Sequence, residues 1–206
     1  MKKNSHLYIS SGFAKGRKVV VPTCAQPIKN IVKESIFSTI SSFLPNTNCL
    51  DLFAGSGILG IEALSRGAKS CAFVDQDKEA TANITKCLTE TNLIGKSFVA
   101  RMDNVKYISN CEETFDIIFF DPPYKLPIAY SLKNIWQISS NGAVLILLRD
   151  SAEPVFKPEN FRFIKDKVFG KTRITYFALD KGGQFKLLYH HGSNTKTQNF
   201  EHPKKA

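Results

Sequence analysis

The sequence predicts an open, doubly wound α/β sheet with an antiparallel edge, preceded by a small N-terminal hairpin and helix. From residue 49 onwards, segments typical of strands alternate with segments typical of helices, and a glycine-rich turn follows the first strand. Residues 115–120 and 143–148 are almost entirely apolar, which is typical of central strands in a parallel sheet covered by helices. A length of 206 residues suits one large domain, or one domain with a small appendage.

The composition excludes several classes of protein. With 43% hydrophobic and 22% charged residues, the chain is neither mainly disordered nor fibrous. No apolar run approaches the roughly 18–20 residues that span a bilayer, and the first residues lack the apolar stretch of a signal peptide. Five widely spaced cysteines without a C-x-x-C pair indicate core residues in a reducing compartment: Cys24, Cys49, Cys71, Cys87 and Cys111. We therefore predict a cytoplasmic protein with no membrane partner and no metal.

The net charge of +10 lies at the two ends of the chain. Residues 1–43 carry +6 and residues 181–206 carry +4, whereas the body between them is neutral. Basic segments on both sides of a neutral body favour binding of a polyanionic partner around a central site. The alternative is that the terminal lysines are simply solvated. We divide the chain into a basic N-terminal extension (1–43), a core (44–190) and a polar, basic tail (191–206) that is predicted to be disordered.

The predicted elements follow in chain order. Residues 7–21 form a hairpin, and Asn30 caps a helix over 31–44 whose apolar residues keep helical spacing. The core then begins with a strand over 49–53 and a helix through 61–64 that stops at Gly67. A strand over 72–74 that ends at Asp75, a helix from the cap Asp77 to about residue 92, and a strand over 97–100 follow. After the two apolar strands, segments 161–169 and 172–179 form an antiparallel pair joined by Gly170 and Lys171.

The glycine-rich turn favours an adenosine ligand with a cationic end. Gly55-x-Gly57-x-x-Gly60 matches the dinucleotide fingerprint, a pattern that also fits a turn packing a helix onto a strand. Asp75 closes the next strand, where it would accept hydrogen bonds from the ribose of any adenosine ligand. Asp51 lies just before the turn, where a carboxylate would repel a pyrophosphate but suits the ammonium of a methionine group. The turn therefore favours S-adenosylmethionine (SAM) over NAD.

Three loops are expected to share one crevice, because ligands of open α/β sheets bind beyond the carboxyl ends of the strands. These loops are 53–58, 75–77 and 121–125. Asp103, after the third strand, is placed to meet the adenine amino group, although a plain helix cap is an equally good interpretation. The candidate cofactor-binding residues are Asp51, Phe53, Ala54, Gly55, Ser56, Gly57, Asp75, Gln76 and Asp103.

The tetrapeptide Asp121-Pro122-Pro123-Tyr124 is the candidate catalytic site. Its two prolines make a stiff turn directly after a buried strand, so a carboxylate and a ring are held in fixed positions. Such a turn suits methylation of an amine conjugated to a ring, whose lone pair is delocalised. Hydrogen bonds to Asp121 and the Pro122 carbonyl would stabilise the charge that develops, and Tyr124 would stack on the base. A proline-stiffened surface loop is the alternative for an isolated D-P-P-Y.

With both motifs present, the chain resembles the RsmD family of small-subunit ribosomal RNA guanine-N2 methyltransferases. The resemblance runs over about residues 8–179 and is most specific in LDLFAGSGILGIEALSRGA and in the D-P-P-Y tetrapeptide. It also includes Gly16-Arg17-Lys18, Val32 to Phe37, Val74 to Asp77 and Phe169 to Thr172. The family usually has an Arg-Pro-Thr run before the first helix, where this chain has Gln26-Pro27-Ile28.

The resemblance implies a Rossmann-like class I methyltransferase fold and SAM-dependent methylation of a guanine N2 amine in 16S ribosomal RNA. The substrate would be RNA already carrying ribosomal proteins, in a 30S subunit or an assembly intermediate, and the enzyme a monomer. The candidate RNA-binding residues lie in the basic extension: Lys15, Arg17, Lys18, Lys29 and Lys33. Fewer arginines in this region mean fewer bidentate phosphate contacts, which Lys29 and Lys33 partly replace.

Other functions remain open from the residues. DNA adenine-N6 methylases also use D-P-P-Y, but they usually carry a sizeable target-recognition domain. Protein-glutamine methylases have asparagine where Asp121 stands and little need for basic flanks. Transfer RNA is a second RNA substrate that the residues do not exclude. A non-catalytic RNA-binding assembly factor predicts a damaged cofactor loop or tetrapeptide, and both are intact here.

Overall fold

A computed structural model describes residues 5–23, 25–123 and 126–179 of the chain. The strands and helices are β1 (His6–Tyr8), β2 (Lys18–Val20), α1 (Asn30–Ile40), β3 (Asn48–Leu52), α2 (Ile58–Ser65), β4 (Ser70–Asp75), α3 (Lys78–Glu90), β5 (Ser97–Arg101), α4 (Asn104–Asn110), β6 (Phe115–Phe120), α5 (Ala129–Lys133), β7 (Ser139–Asp150), β8 (Phe161–Phe169) and β9 (Thr172–Leu179). The predicted tail over 191–206 lies outside the described residues.

Seven strands form one mixed sheet in the order β5-β4-β3-β6-β7-β9-β8. The five strands from β5 to β7 run parallel, and β9 and β8 add the antiparallel edge. The chain builds outwards from β3 through β4 to β5 and then returns to place β6 on the other side of β3. This reversal leaves a crevice between β3 and β6, where open α/β sheets bind their ligands. The predicted fold class is confirmed.

Each face of the sheet carries its own apolar core. On one face, hairpin and helix residues such as Leu7, Val19 and Phe37 pack in the same cluster as Phe119 and Ile146 of the sheet. The other face buries a separate cluster, whose members include Leu50, Phe120, Tyr107, Leu132 and Leu145. The predicted hairpin, paired antiparallel as β1 and β2, therefore shares its core with the central sheet.

The helix boundaries follow the local capping chemistry with one exception. The Asp77 carboxylate accepts a hydrogen bond from Ala80 N at 2.8 Å, as predicted. Gly67 takes a φ of 102° after α2, and its N–H donates to the Leu64 carbonyl, which satisfies a helix-end acceptor. The prediction that Asn30 caps a helix over 31–44 is wrong. Asn30 is the first residue of α1, the preceding position carries no side-chain cap bond, and the helix ends at Ile40.

The described cysteines are free thiols. Burial raises the pKa of Cys49 to about 12 and that of Cys87 to about 11, so both stay protonated at neutral pH. Cys49, Cys71 and Cys87 are buried core residues, as predicted, whereas Cys111 is only half-buried and Cys24 lies outside the described residues. Within the described ranges, no helix has the length and apolar character needed to cross a bilayer.

A buried ion pair joins the N-terminal segment to the helix that follows the glycine loop. Glu62 on α2 accepts hydrogen bonds from Ser10 N at 2.8 Å and Ser11 N at 3.0 Å, and from Arg66 Nε at 2.7 Å. Lys33 Nζ lies 3.2 Å from the same carboxylate, with both side chains buried, and also donates to the Tyr8 carbonyl. The prediction that Lys33 contacts RNA is therefore wrong, because its ammonium lies inside the protein and is already paired.

Breaking this pair should destabilise the fold strongly. Glu62→Gln keeps the shape of the side chain but leaves the Lys33 ammonium buried without a counter-charge. Removing one partner of a buried pair costs about 3–5 kcal/mol of unfolding free energy, measurable by urea denaturation. Glu90→Gln is the matched control, since Glu90 and its partner Lys86 are exposed and the expected loss is below about 1 kcal/mol. Equal losses in the two variants would contradict this assignment.

Candidate active site

Three loops leave the sheet side by side at its carboxyl edge. In the parallel register, Leu52 at the end of β3 pairs with Val74 of β4 on one side and with Phe120 of β6 on the other. The residues that follow these three paired positions therefore emerge next to one another. Among them are Asp75 and Asp121. The loops predicted to share a crevice begin at the same edge of the molecule.

The glycine loop is a tight turn with unusual backbone geometry. Phe53, Gly55 and Gly57 have φ values of 73°, 53° and 73°, and Gly57 N–H donates to the Ala54 carbonyl at 2.6 Å. Left-handed φ values suit glycine but strain phenylalanine. The Phe53 ring is held by edge-on packing against the Phe120 ring, at a centroid distance of 5.1 Å. This contact joins the glycine loop to the strand that carries the tetrapeptide.

Gly60 lets α2 lie close to the sheet. A Cβ at this position would come within 2.3 Å of the Phe73 ring and 2.7 Å of Cys71 Sγ. The third glycine of the pattern therefore serves helix–strand packing, as it does in dinucleotide-binding turns. The first two glycines shape the turn itself.

Asp75 fixes the conformation of the glycine loop. One carboxylate oxygen accepts a hydrogen bond from Gly55 N at 2.8 Å, and the other accepts one from Asp77 N at 2.9 Å. An ionised carboxylate has about four acceptor sites, so these two bonds leave capacity for further donors. Its predicted contact with ribose hydroxyls stays a prediction.

Asp51 is a buried carboxylate at the base of the crevice. Its Oδ2 accepts a hydrogen bond from Gly60 N at 2.9 Å, which ties the strand end to the first turn of α2. Burial is the main cause that raises the pKa of Asp51 to about 8; the Gly60 hydrogen bond lowers this pKa, and the negative charges of Asp121 and Asp75 raise it. Asp51 thus holds the loop and, when it is ionised, contributes negative charge to the crevice.

Asp121 shares this electrostatic environment. Burial raises its pKa to about 7, although the nearby Arg149 guanidinium acts in the opposite direction. The carboxyl groups of Asp51, Asp75 and Asp121 therefore lie close enough for their charges to interact. Such a cluster disfavours anions and is relieved by a bound cation, which suits a ligand carrying ammonium and sulfonium charges.

Arg149 holds the tetrapeptide loop from the neighbouring strand. Its Nη1 donates to the Pro123 carbonyl at 3.3 Å and to the Leu126 carbonyl at 3.4 Å, while its Nε donates to Glu153 Oε2 at 2.7 Å. Sequence reasoning missed this residue. The available signal was an arginine directly following the apolar run 143–148, four residues before a glutamate.

The remaining predicted cofactor and catalytic residues are distributed around the crevice. Ala54, Ser56, Gly57 and Pro122 are buried, whereas Gln76, Asp103 and Pro123 are exposed. Asp103 accepts hydrogen bonds from Val105 N at 3.0 Å and Lys106 N at 3.2 Å, so it caps α4, as the alternative interpretation predicts. Tyr124 lies outside the described residues.

The predicted RNA-binding residues other than Lys33 are accessible. Lys15, Arg17 and Lys18 are exposed around the hairpin, and Lys29 is exposed just before α1. Their contact with RNA stays a prediction. In the part of the chain that the structure describes, no group of three His, Cys, Asp or Glu side chains is placed to hold a metal ion.

The sequence matches one protein family and is similar to curated proteins. Residues 7–178 match the family described as Conserved hypothetical protein 95. Ribosomal RNA small subunit methyltransferase D from Buchnera aphidicola subsp. Acyrthosiphon pisum is 31% identical over 175 residues, covering 81% of this chain and 90% of that protein.

Solved structures show the same fold. The structure of yhhF from Escherichia coli has a TM-score of 0.78 at 24% identity, covering 85% of this chain and 99% of that chain. SMU.776, solved in complex with S-adenosylhomocysteine (SAH), has a TM-score of 0.64 at 14% identity, covering 79% of this chain and 53% of that chain.

The fold is the one found in yhhF and SMU.776, which both carry the description methyltransferase. The family match and the long alignment with a curated relative are more specific than the shared fold. The chain belongs to the RsmD family of ribosomal RNA methyltransferases, which confirms the family resemblance found in the sequence.

Cofactor binding should be linked to proton release from Asp51. At pH 7 a carboxyl group with a pKa of about 8 is mostly protonated, and a bound cation favours its ionised form, so SAM affinity should rise as pH rises through this range. Asp51→Asn keeps an acceptor for Gly60 N but removes the charge. We expect roughly ten- to a hundredfold weaker SAM binding and fewer protons released, measured by calorimetry in two buffers of different ionisation enthalpy. Unchanged affinity and proton release would contradict the role of Asp51, and Glu90→Gln serves as the charge control.

Removing the Arg149 guanidinium should shift the pH dependence of methyl transfer. Arg149 lowers the pKa of Asp121, so Arg149→Met should move the acid limb of the single-turnover rate profile to higher pH. Arg149→Lys keeps the positive charge but loses the hydrogen bonds to the Pro123 and Leu126 carbonyls. This variant should leave the acid limb of the rate profile at the same pH and lower the maximal single-turnover rate. A loss of rate without any shift in the Met variant would show that the guanidinium acts only by holding the loop.

Proposed function

We propose that this protein transfers a methyl group from SAM to the exocyclic N2 amine of a guanine in 16S ribosomal RNA. The observation that carries the proposal is the position of Asp121, which emerges beside the glycine loop and interacts electrostatically with the buried Asp51. The name of the Buchnera relative, a small-subunit ribosomal RNA methyltransferase, supports the choice of RNA. The SAH in SMU.776 supports the choice of donor.

The residues around the glycine loop are suited to hold SAM. When bound, SAM supplies an electrophilic methyl group on a positively charged sulfur. Asp51 would face its ammonium, Asp75 its ribose hydroxyls, and the backbone of Gly55 to Gly57 would allow close approach. The exposed Asp103 would reach the adenine amine while it caps α4. The mutual repulsion of the carboxylates is relieved by the cationic ligand, which favours SAM over the neutral-sulfur product.

Asp121 would orient the amine and accept its proton. The guanine N2 amine is a weak nucleophile because its lone pair is delocalised into the ring. Hydrogen bonds from this amine to the Asp121 carboxylate and the Pro122 carbonyl would stabilise positive charge as the N–C bond forms and the S–C bond breaks, with the electron pair remaining on sulfur. A pKa of about 7 lets Asp121 receive the released proton near neutral pH more readily than an ordinary aspartate with a pKa near 3.9.

The RNA would be held by the tetrapeptide ring and the basic extension. Tyr124 is proposed to stack on the target base, and Lys15, Arg17, Lys18 and Lys29 to contact phosphates. A base edge is reachable only in an unstacked or extruded nucleotide, which favours a loop of folded RNA. We propose that the substrate is RNA already assembled with ribosomal proteins, and that the enzyme acts as a monomer.

A methyl-transfer assay with matched substrates tests the proposal. Tritiated SAM is offered with 16S RNA, 30S particles, transfer RNA and DNA, and we expect incorporation into 16S RNA, greatest in 30S particles. Asp121→Ala should lower turnover by roughly 10²–10³, the effect of losing one transition-state hydrogen-bond partner, while SAM affinity stays within a few-fold. Incorporation into DNA or transfer RNA but not 16S RNA would reject the substrate, and undiminished turnover of the variant would reject the role of Asp121.

A further inference from the structure

The hairpin carries an aromatic ring that the proposed mechanism does not use. Phe13 lies between β1 and β2 and is 77% exposed, more than any other large hydrophobic side chain in the described part of the chain. Its neighbour Ala14 is buried. A single exposed apolar side chain is common on protein surfaces, so exposure by itself indicates no function.

The backbone that presents this ring is fixed. Phe13 N–H donates to the Ser65 carbonyl at 2.8 Å, and Ala14 N–H donates to Ser65 Oγ at 2.9 Å. Ser65 Oγ in turn donates to the Ser11 carbonyl at 2.6 Å. Gly12, with a φ of 82°, approaches so closely that a Cβ would lie 1.8 Å from the Ser65 carbonyl oxygen. The ring is thus held out from a loop clamped against the end of α2.

The surroundings of the ring are cationic. Lys15, Arg17 and Lys18 are all exposed within five residues of Phe13, and no acidic residue precedes Glu34 in the sequence. Tyr8, half exposed, lies opposite Lys18 in the hairpin register. Aromatic rings interleaved with basic side chains are the pattern by which proteins bind unpaired nucleotides, because the cations attract phosphates and the rings stack on bases.

We propose that Phe13 is a stacking site for an unpaired nucleobase of the RNA substrate, separate from the nucleotide that is methylated. The inference rests on the proposed RNA methyltransferase function and adds a second contact to it. The hydrogen bonds to Ser65 hold Phe13 at the C-terminal end of α2, whereas the glycine loop lies at the N-terminal end of that eight-residue helix. A helix of this length measures about 12 Å, so one nucleotide cannot occupy both sites.

A contact away from the reacting atoms affects binding rather than chemistry. Loss of the ring should therefore raise the KM for RNA and leave the turnover of bound substrate unchanged. A stacking contact also requires a flat ring, so the effect distinguishes aromatic from aliphatic replacements of similar size. Because Phe13 is exposed, its replacement should leave the fold and SAM affinity unchanged.

The experiment compares four variants by RNA affinity and by steady-state methylation of 30S particles or 16S RNA. Phe13→Ala and Phe13→Leu should each raise Kd and KM about tenfold with kcat unchanged, and Phe13→Trp should restore both. The new indole fluorescence should be quenched when RNA binds, against the background of the single native tryptophan, Trp136. Phe98→Ala is the matched control, since Phe98 is also an exposed aromatic side chain, at 59% exposure. It lies on β5 and pairs with Ala72 of β4, which belongs to the apolar core on the face of the sheet opposite the hairpin.

Each outcome separates this inference from the function on which it rests. If the wild-type enzyme methylates RNA and Phe13→Ala keeps the wild-type Kd and KM, the stacking site is overturned and the proposed function stands. Full rescue by leucine would likewise overturn stacking. If the wild-type enzyme neither binds nor methylates any RNA, the proposed function fails together with the inference.

Discussion

The parallel pairing of β3 with both β4 and β6 is the constraint on which the candidate site depends. Because Leu52 is in register with Val74 and with Phe120, the glycine loop, the Asp75 turn and the D-P-P-Y turn all leave one edge of the sheet. A slip of one residue would send the strand-end side chains to the opposite face. Both neighbours of β3 are apolar strands buried under helices, which fixes that register.

The electrostatics of the crevice follow from this arrangement. Three carboxylates converge there. Burial raises the pKa of Asp121 to about 7, and burial together with the charges of Asp121 and Asp75 raises that of Asp51 to about 8. Two of them also hold backbone amides of the glycine loop and α2. The same groups therefore shape the turn and set its charge. Arg149 opposes the effect of burial on the pKa of Asp121 and also holds the loop that follows.

Most of the fold could be predicted from the sequence because its signals are local. Apolar runs marked the central strands, and the cap at Asp77 and the glycine after α2 were both correct. The failures came from tertiary contacts. Lys33 reads as a surface cation, yet Glu62, almost thirty residues away, draws it into the interior. Arg149 contacts the tetrapeptide loop only because β7 lies beside β6, and no spacing in the sequence records that neighbour.

A crystal structure of the protein with SAH would test the central claim most directly. The account predicts that the ligand sulfur lies between the glycine loop and the Asp121 turn, with the amino group towards Asp51 and the ribose towards Asp75. The tetrapeptide and the sulfur would then border one open slot for a flat base. A ligand bound on another face of the sheet, or with its sulfur turned away from Asp121, would contradict the account.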